Sequence, residues 1–215
     1  MKVLTQAQVN QYREDGFIVL RQFISPDEIE ILRQEMKRLI ASAPVRRGAE
    51  KDAKGQIVER PQDFAFTFLD DEGHRQVLNR ISSPLARSEI MRQAYGNPKL
   101  LGAVEDLYGS DFVPFAESVV IKMPDNGAPF AWHQDGHFKT GWQTERGVNF
   151  GIYLYPSNED NGCLYVIPNS RHWGKVDIGA MLAEHGERLP GAIPVLAEPG
   201  AERSHRGTET RREKL

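Results

Sequence analysis

The feature of this chain that most clearly suggests chemistry is a histidine and an aspartate two positions apart, His133 and Asp135. In an extended strand, side chains at positions i and i+2 project from the same face, so a strand here would aim an imidazole and a carboxylate at one point. Two histidines and one carboxylate form the facial triad that holds non-haem Fe(II) and leaves coordination positions open. The pair would supply two of these three ligands. Because a lone His-x-Asp is common, the surrounding sequence has to decide its role.

The composition describes a chain that can form one folded domain. Its 215 residues are 40% hydrophobic, which is enough for a single buried core. The net charge of −3 gives no basic field for nucleic acid, and no apolar run approaches the roughly 20 residues that span a bilayer. The single cysteine, Cys163, excludes an intrachain disulfide and fits a reducing compartment, where we expect it as a small buried residue on a strand. We therefore predict a cytoplasmic protein with no nucleic-acid or membrane partner; the sequence specifies no oligomeric state.

Helices dominate the predicted elements of the first half. Helices are predicted over residues 5–15 and 26–43, with Thr5 and Ser25 as capping residues, and a short strand is predicted over residues 17–20. The apolar positions of the second helix recur at helical spacing, which predicts one buried face against the outside of a sheet. These positions are Ile29, Leu32, Met36 and Leu39.

Strands dominate the second half. A long polar loop over residues 46–62 and a helical region over residues 85–107 precede them. Helices first and strands later favour an α+β domain whose second part is a β-sandwich or barrel. Strands are predicted over residues 112–115, 118–121, 148–155, 163–167 and 193–196, with a turn at residues 161–162. Residues 1–200 would form this domain, and the highly charged residues 201–215 a disordered tail.

Four segments together resemble the phytanoyl-CoA dioxygenase-like family of Fe(II)- and 2-oxoglutarate-dependent oxygenases. Residues 12–20 look like its opening helix, glycine and strand, and residues 25–29 like the helix that follows. The sequence Trp-His-Gln-Asp at residues 132–135 matches its first metal motif, and residues 161–172 are similar to its strand-turn signature. The order and spacing of these segments extend the resemblance over about residues 5–200, which is far more specific than one His-x-Asp.

The resemblance implies a fold, a reaction and two cofactors. The fold is a double-stranded β-helix, a cupin-like jelly roll with the N-terminal helices packed outside. The reaction is hydroxylation of a small organic substrate, with succinate and CO2 as co-products. Fe(II) is held by His133, Asp135 and a distal histidine, and 2-oxoglutarate is the co-substrate. The sequence does not specify which small molecule is hydroxylated.

The sequence departs from the family pattern near its end. The distal histidine and an arginine for 2-oxoglutarate normally follow a Pro-Gly-Asp turn, but Ala201 stands where the aspartate belongs. His205 is the histidine available in the tail, although the family's distal histidine usually lies further along the chain. We therefore expect a truncated or frame-shifted product with incomplete C-terminal strands and an unpaired sheet edge.

Several other residues have open roles. Lys122 and Asn149 flank the motif region and are candidates to contact a carboxylate of the co-substrate. His137 is a further ligand or a residue at the rim of the site, and His172 has a structural or rim role. The remaining residues of interest are His74 and His185, expected to be solvent-exposed, and Trp132, Phe138 and Trp142, which line a cavity or pack.

Two alternatives to an active oxygenase stay open. A catalytically inactive jelly-roll remnant would act at most as a binding protein, which the missing distal ligands support. A hydrolytic zinc site built from His133, His137 and a carboxylate fits the residue types but not the order of the surrounding segments.

Overall fold

The first two helices begin at reciprocal caps. In α1 (Gln6–Asp15) the Thr5 hydroxyl accepts a hydrogen bond from the backbone of Gln8, whose side chain accepts one from the backbone of Thr5. In α2 (Pro26–Ala41) Ser25 and Glu28 repeat the arrangement. Each cap satisfies backbone donors that the first helical turn leaves without an intrahelical acceptor. Both predicted starts are confirmed, and α2 ends two residues before the predicted position.

The structure is a computed structural model that describes residues 2–43, 50–51, 57–58, 64–68, 76–113, 117–123, 130–134 and 148–199. The remaining elements of the described residues follow in chain order. They are β1 (Glu50–Lys51), β2 (Ile57–Val58), β3 (Phe64–Phe68), β4 (Gln76–Ser82), α3 (Pro84–Arg87), α4 (Glu89–Tyr95), α5 (Pro98–Tyr108), β5 (Ser118–Val120), a 3-10 helix (Glu159–Asn161), β6 (Tyr165–Val166), a second 3-10 helix (Ser170–Trp173), α6 (Ile178–His185) and β7 (Ile193–Pro194).

An apolar core lies between the N-terminal residues and α5. Leu4, Val9 and Ala103 lie at its centre. The partly buried side chains packed against this centre are those of Val3, Ile18, Leu20, Phe23, Leu107 and Phe150. The predicted stripe on α2 is also confirmed, because Ile29, Leu32, Met36 and Leu39 are all buried.

Two predicted strands are wrong in the same way. Residues 17–20 and 148–155 do not belong to any strand of the described part of the chain. Ile18, Leu20 and Phe150 instead pack against the apolar core. Their β-branched and aromatic side chains are typical of strands. Such side chains can equally be buried against helices, where no neighbouring strand is needed.

The strands of the described residues form three small antiparallel sheets, in the orders β1-β2, β3-β4-β5 and β6-β7. The β1-β2 pair lies within residues 46–62, so the prediction of an uninterrupted loop there is wrong. The predicted strands over residues 118–121, 163–167 and 193–196 are present in shorter form as β5, β6 and β7. Together with the helices this is an α+β fold. Residues 114–115 and 201–215 lie outside the described residues, as does any sheet edge built there.

The predicted helical region over residues 85–107 is three helices. Ser88 separates α3 from α4 and caps α4 by accepting a hydrogen bond from the backbone of Met91. Asn97 caps α5, and Gly109, with φ of 86°, ends it. The predicted restart at residues 97–98 is therefore confirmed. No helix of the described residues is long and apolar enough to span a membrane.

Side-chain and backbone contacts connect the helices to the second half of the chain. The Arg33 side chain on α2 donates through Nε to the carbonyl oxygen of Leu154 at 2.7 Å, and its guanidinium lies 5.1 Å from the ring centre of Tyr155. The backbone nitrogen of Asn169 donates to the carbonyl oxygen of Asp15 at 2.9 Å. These contacts fix the helices against the segments that follow residue 148.

Glu35 is a charged residue on the buried side of α2. Its residue surface is 6% exposed, and Arg38 donates to both carboxylate oxygens at 2.8 and 2.5 Å. These hydrogen bonds from Arg38 lower the pKa of the Glu35 carboxyl, and a hydrogen bond from Ser88 adds to the effect. A buried charge is tolerated because it is hydrogen-bonded on both oxygens.

We expect Glu35 to contribute to acid sensitivity. Because its folded-state pKa is lowered, its stabilisation is complete above the ordinary glutamate pKa and is lost as the pH falls through the lowered value. Glu35→Gln should therefore reduce stability near neutral pH and flatten the loss of stability as the pH falls below the ordinary glutamate pKa. Urea unfolding across this range measures it, with the exposed Glu105→Gln as control. An unchanged acid slope would contradict the assignment.

The buried stripe of α2 predicts a second outcome. Leu39 is 1% exposed, so Leu39→Ala should lower the free energy of unfolding by about 2–5 kcal/mol through lost burial and a residual cavity. Ile31 lies on the same helix and is 52% exposed, so Ile31→Ala should cost less than about 1 kcal/mol. Chemical denaturation compares the two variants, and equal losses would show that the stripe does not face the core.

Candidate functional site

The histidine of the motif lies in a segment without regular secondary structure. Residues 130–134 belong to no helix or strand of the described part of the chain, and His133 is exposed. Asp135 and His137 lie outside the described residues, as do Phe138 and Trp142. The predicted strand placement of His133 is therefore not seen, and the predicted convergence of His133 and Asp135 stays a prediction.

A short hydrogen bond fixes the ring of His133. Its Nδ1 atom lies 2.8 Å from the carbonyl oxygen of Ala131. A carbonyl oxygen only accepts, so Nδ1 carries the proton of the neutral ring and the lone pair is on Nε2. Metal-binding histidines commonly donate one ring N–H to a backbone carbonyl and bind through the other nitrogen. The local geometry of His133 thus fits a metal ligand that binds through Nε2.

Gln134 contacts a distant segment. Its side-chain nitrogen donates to the carbonyl oxygen of Gly174 at 2.8 Å, and its side-chain oxygen accepts from the backbone nitrogen of Val176 at 3.0 Å. One side-chain amide therefore satisfies both an acceptor and a donor of the same backbone stretch. Sequence reasoning assigned no function to this residue.

Trp132, on the other side of His133, is also fixed. The ring is half-buried, and its Nε1 donates to the carbonyl oxygen of Glu187 at 2.9 Å. This hydrogen bond satisfies the polar end of a large apolar side chain, as buried tryptophans usually require. Whether the ring lines a cavity or packs stays a prediction.

The residues that Gln134 and Trp132 contact flank α6. The sequence analysis did not predict this helix. Asp177 caps this helix by accepting a hydrogen bond from the backbone of Ala180, and Gly186 follows its last residue. The signal was available, since an aspartate cap, apolar residues at Ile178, Met181 and Leu182, and a closing glycine predict a helix.

Lys122 and Asn149 are both exposed. The Lys122 side chain donates through Nζ to the carbonyl oxygen of Gly162 at 2.5 Å. Gly162 occupies the left-handed region with φ of 77°, which confirms the predicted turn at residues 161–162. Lys122 is therefore positioned over this turn. A carboxylate contact by Lys122 or Asn149 stays a prediction.

The other described histidines and the cysteine have separate surroundings. His172 is exposed within the second 3-10 helix, and His185 is exposed, as predicted, at the last residue of α6. Cys163 is 5% exposed and lies two residues before β6, close to the predicted buried strand position. His74 and His205 lie outside the described residues.

Within the described ranges, no group of three or more His, Cys, Asp or Glu side chains could hold a metal ion. Of the predicted iron ligands, only His133 belongs to those ranges. The ring of this residue fits a metal ligand, because its hydrogen bond to Ala131 favours the tautomer with the lone pair on Nε2.

Comparison with known proteins identifies the family. A family model described as phytanoyl-CoA dioxygenase (PhyH) matches residues 12–201. The chain belongs to this family, which confirms the resemblance.

Curated relatives and solved structures agree with this assignment. Phytanoyl-CoA dioxygenase domain-containing protein 1 from Danio rerio is 27% identical over 197 residues, which are 81% of this chain and 68% of the relative. Ectoine dioxygenase from Streptomyces avermitilis is 26% identical over 170 residues, 78% of this chain and 52% of the relative. The chain thus spans about half to two thirds of the length of these relatives.

The fold matches that of EctD from S. alaskensis, crystallised with 2-oxoglutarate and 5-hydroxyectoine. The TM-score is 0.67 at 24% identity, covering 93% of this chain and 66% of EctD. A second structure of EctD contains bound Fe and matches with a TM-score of 0.64 at 23% identity. The predicted cofactors, Fe(II) and 2-oxoglutarate, agree with the ligands of these two structures.

The ring of His133 gives a direct spectroscopic prediction. The neutral side chain should be the tautomer with the proton on Nδ1, because that atom donates to the Ala131 carbonyl. Long-range proton–nitrogen NMR spectra of the neutral ring report which nitrogen is protonated. His185, which is exposed, serves as the reference ring. A protonated Nε2 in His133 would contradict the assignment.

Proposed function

We propose that this protein is an Fe(II)- and 2-oxoglutarate-dependent dioxygenase that hydroxylates a small organic substrate and releases succinate and CO2. The observation that carries the proposal is the 2.8 Å contact between Nδ1 of His133 and the Ala131 carbonyl oxygen, which supports Nε2 as the atom that would bind the metal. It stands in the Trp-His-Gln-Asp motif of a chain that belongs to the phytanoyl-CoA dioxygenase family. The relative from Streptomyces avermitilis, an ectoine dioxygenase, supports a small-molecule substrate.

The proposed fold for this activity is a jelly roll formed by residues 1–200, with α1 and α2 outside it and residues 201–215 as a tail. The antiparallel sheets β3-β4-β5 and β6-β7 and the likeness to EctD support it. The Arg33 hydrogen bond to Leu154 supports the placement of α2 against the strand-forming half.

In this proposal the metal ligands are His133, through Nε2, and Asp135, through its carboxylate. When bound, Fe(II) would supply the activation of O2, which is the oxidant: 2-oxoglutarate would give two electrons and leave as succinate and CO2, and one oxygen atom would go to succinate and the other to the hydroxylated product. In the neutral ring, the hydrogen bond to the Ala131 carbonyl favours the tautomer with the proton on Nδ1, which is the one that binds a metal through Nε2. His205 is the candidate third ligand, and Lys122 and Asn149 are candidate contacts for a 2-oxoglutarate carboxylate.

The proposal is tested by 2-oxoglutarate turnover. The purified 215-residue chain, given Fe(II), ascorbate and oxygen, should convert 2-oxoglutarate to succinate, detected by mass spectrometry. His133→Ala and Asp135→Ala should both reduce the rate to that measured without Fe(II), because each removes a metal ligand. Glu105→Gln changes an exposed side chain on α5 and should retain the wild-type rate.

The other outcomes separate the alternatives. Stoichiometric Fe(II) binding without turnover, or no binding at all, would favour an inactive remnant. Preferential Zn(II) binding lost in both His133→Ala and His137→Ala would favour a hydrolytic zinc site. Loss of turnover in His205→Ala would assign the third ligand to the tail.

A further inference from the structure

Both neighbours of His133 are hydrogen-bonded to residues that flank one helix, α6. The segment from residue 174 to residue 187, named the α6 segment, contains α6 and the residues that flank it. Gln134 contacts its beginning through Gly174 and Val176, and Trp132 contacts its end through Glu187.

These contacts are long-range in the sequence. The bonded residues lie 40, 42 and 55 positions from Gln134 and Trp132. In the described residues 130–134 no strand pairing holds the backbone, so its position depends on side-chain contacts. Gln134 is suited to this task because its amide presents a donor and an acceptor, matching a backbone carbonyl and a backbone N–H.

The geometry points to Gln134 and Trp132 as positioning residues for iron binding by His133, with the α6 segment as their rigid support. This inference rests on the proposed function. The two side chains fix the backbone on both sides of His133, and that backbone also supplies the Ala131 carbonyl that orients the ring. Losing either contact would let the backbone at His133 move relative to the α6 segment, and the direction of the Nε2 lone pair would no longer be set.

The test measures metal affinity with Co(II), an air-stable substitute for Fe(II). Titration calorimetry on the full chain should show that Gln134→Met, which keeps the length of the side chain but removes both hydrogen bonds, weakens Co(II) binding about tenfold or more. Trp132→Phe keeps the aromatic ring, loses only the N–H donor, and should weaken binding in the same direction. Gln6→Met makes the same chemical change on exposed α1 and should leave affinity unchanged.

Hydrogen exchange supplies a readout that needs no metal. In Gln134→Met the backbone amides of residues 131–134 and of the α6 segment should exchange faster than in the wild type, while those of α2 should not change. This pattern with weaker Co(II) binding supports the inference. A general loss of protection would mean misfolding, and Trp132→Phe would then decide the question by the same two measurements.

The results that overturn the inference differ from those that overturn the proposed function. If the wild type binds Co(II) and both variants bind it equally well, the positioning role is wrong while the proposed function stands. If the wild type does not bind Co(II), or binding survives in His133→Ala, the proposed metal site is wrong and the positioning role falls with it.

Discussion

Hydrogen bonds from side chains to backbone groups outside the sheets connect distant parts of this structure. Where strands pair, backbone groups hydrogen-bond each other; where they do not, side chains supply the partners. Asp106 accepts from the backbone nitrogens of Val3 and Leu4 at 2.7 and 2.8 Å, which fixes the N-terminus to α5. Arg33 on α2 donates to the carbonyl oxygen of Leu154. Gln134 donates to one backbone carbonyl and accepts from one backbone N–H in the residues that precede α6. Long polar side chains therefore join elements that the short sheets leave apart.

The helical features were predictable because their determinants are local. Thr5 and Ser25 cap helices through residues three positions along the chain, and Gly16 and Gly109 end helices in conformations that favour glycine. The stripe from Ile29 to Leu39 needs only helical periodicity and a core to face. Such patterns are complete within a few turns of chain, and for that reason the sequence predicts them without knowledge of the partner surface.

The strand features were less predictable because pairing is a property of two segments. Residues 17–20 and 148–155 carry strand-forming side chains, yet Ile18, Leu20 and Phe150 bury them against helices. Asn161 and Gly162 marked a true turn, but β6 pairs with β7, about thirty residues later in the chain, and not with the segment preceding the turn. The pattern of apolar residues alone does not distinguish a segment that pairs with a strand from one that packs against helices. In these segments tertiary packing decides the conformation.

The candidate site divides in the same way between local and distant determinants. The proposed metal-binding role of His133 starts from a motif of four consecutive residues, and its hydrogen bond to Ala131 spans only two positions. The contacts of Trp132 and Gln134 reach 40 to 55 positions along the chain, so a motif of four residues cannot specify them. The residue types of the ligands set the chemistry of a metal site, but the geometry of the ligands depends on the residues that surround and orient them. Through Trp132 and Gln134, the position of this four-residue motif therefore depends on contacts that only the folded chain provides.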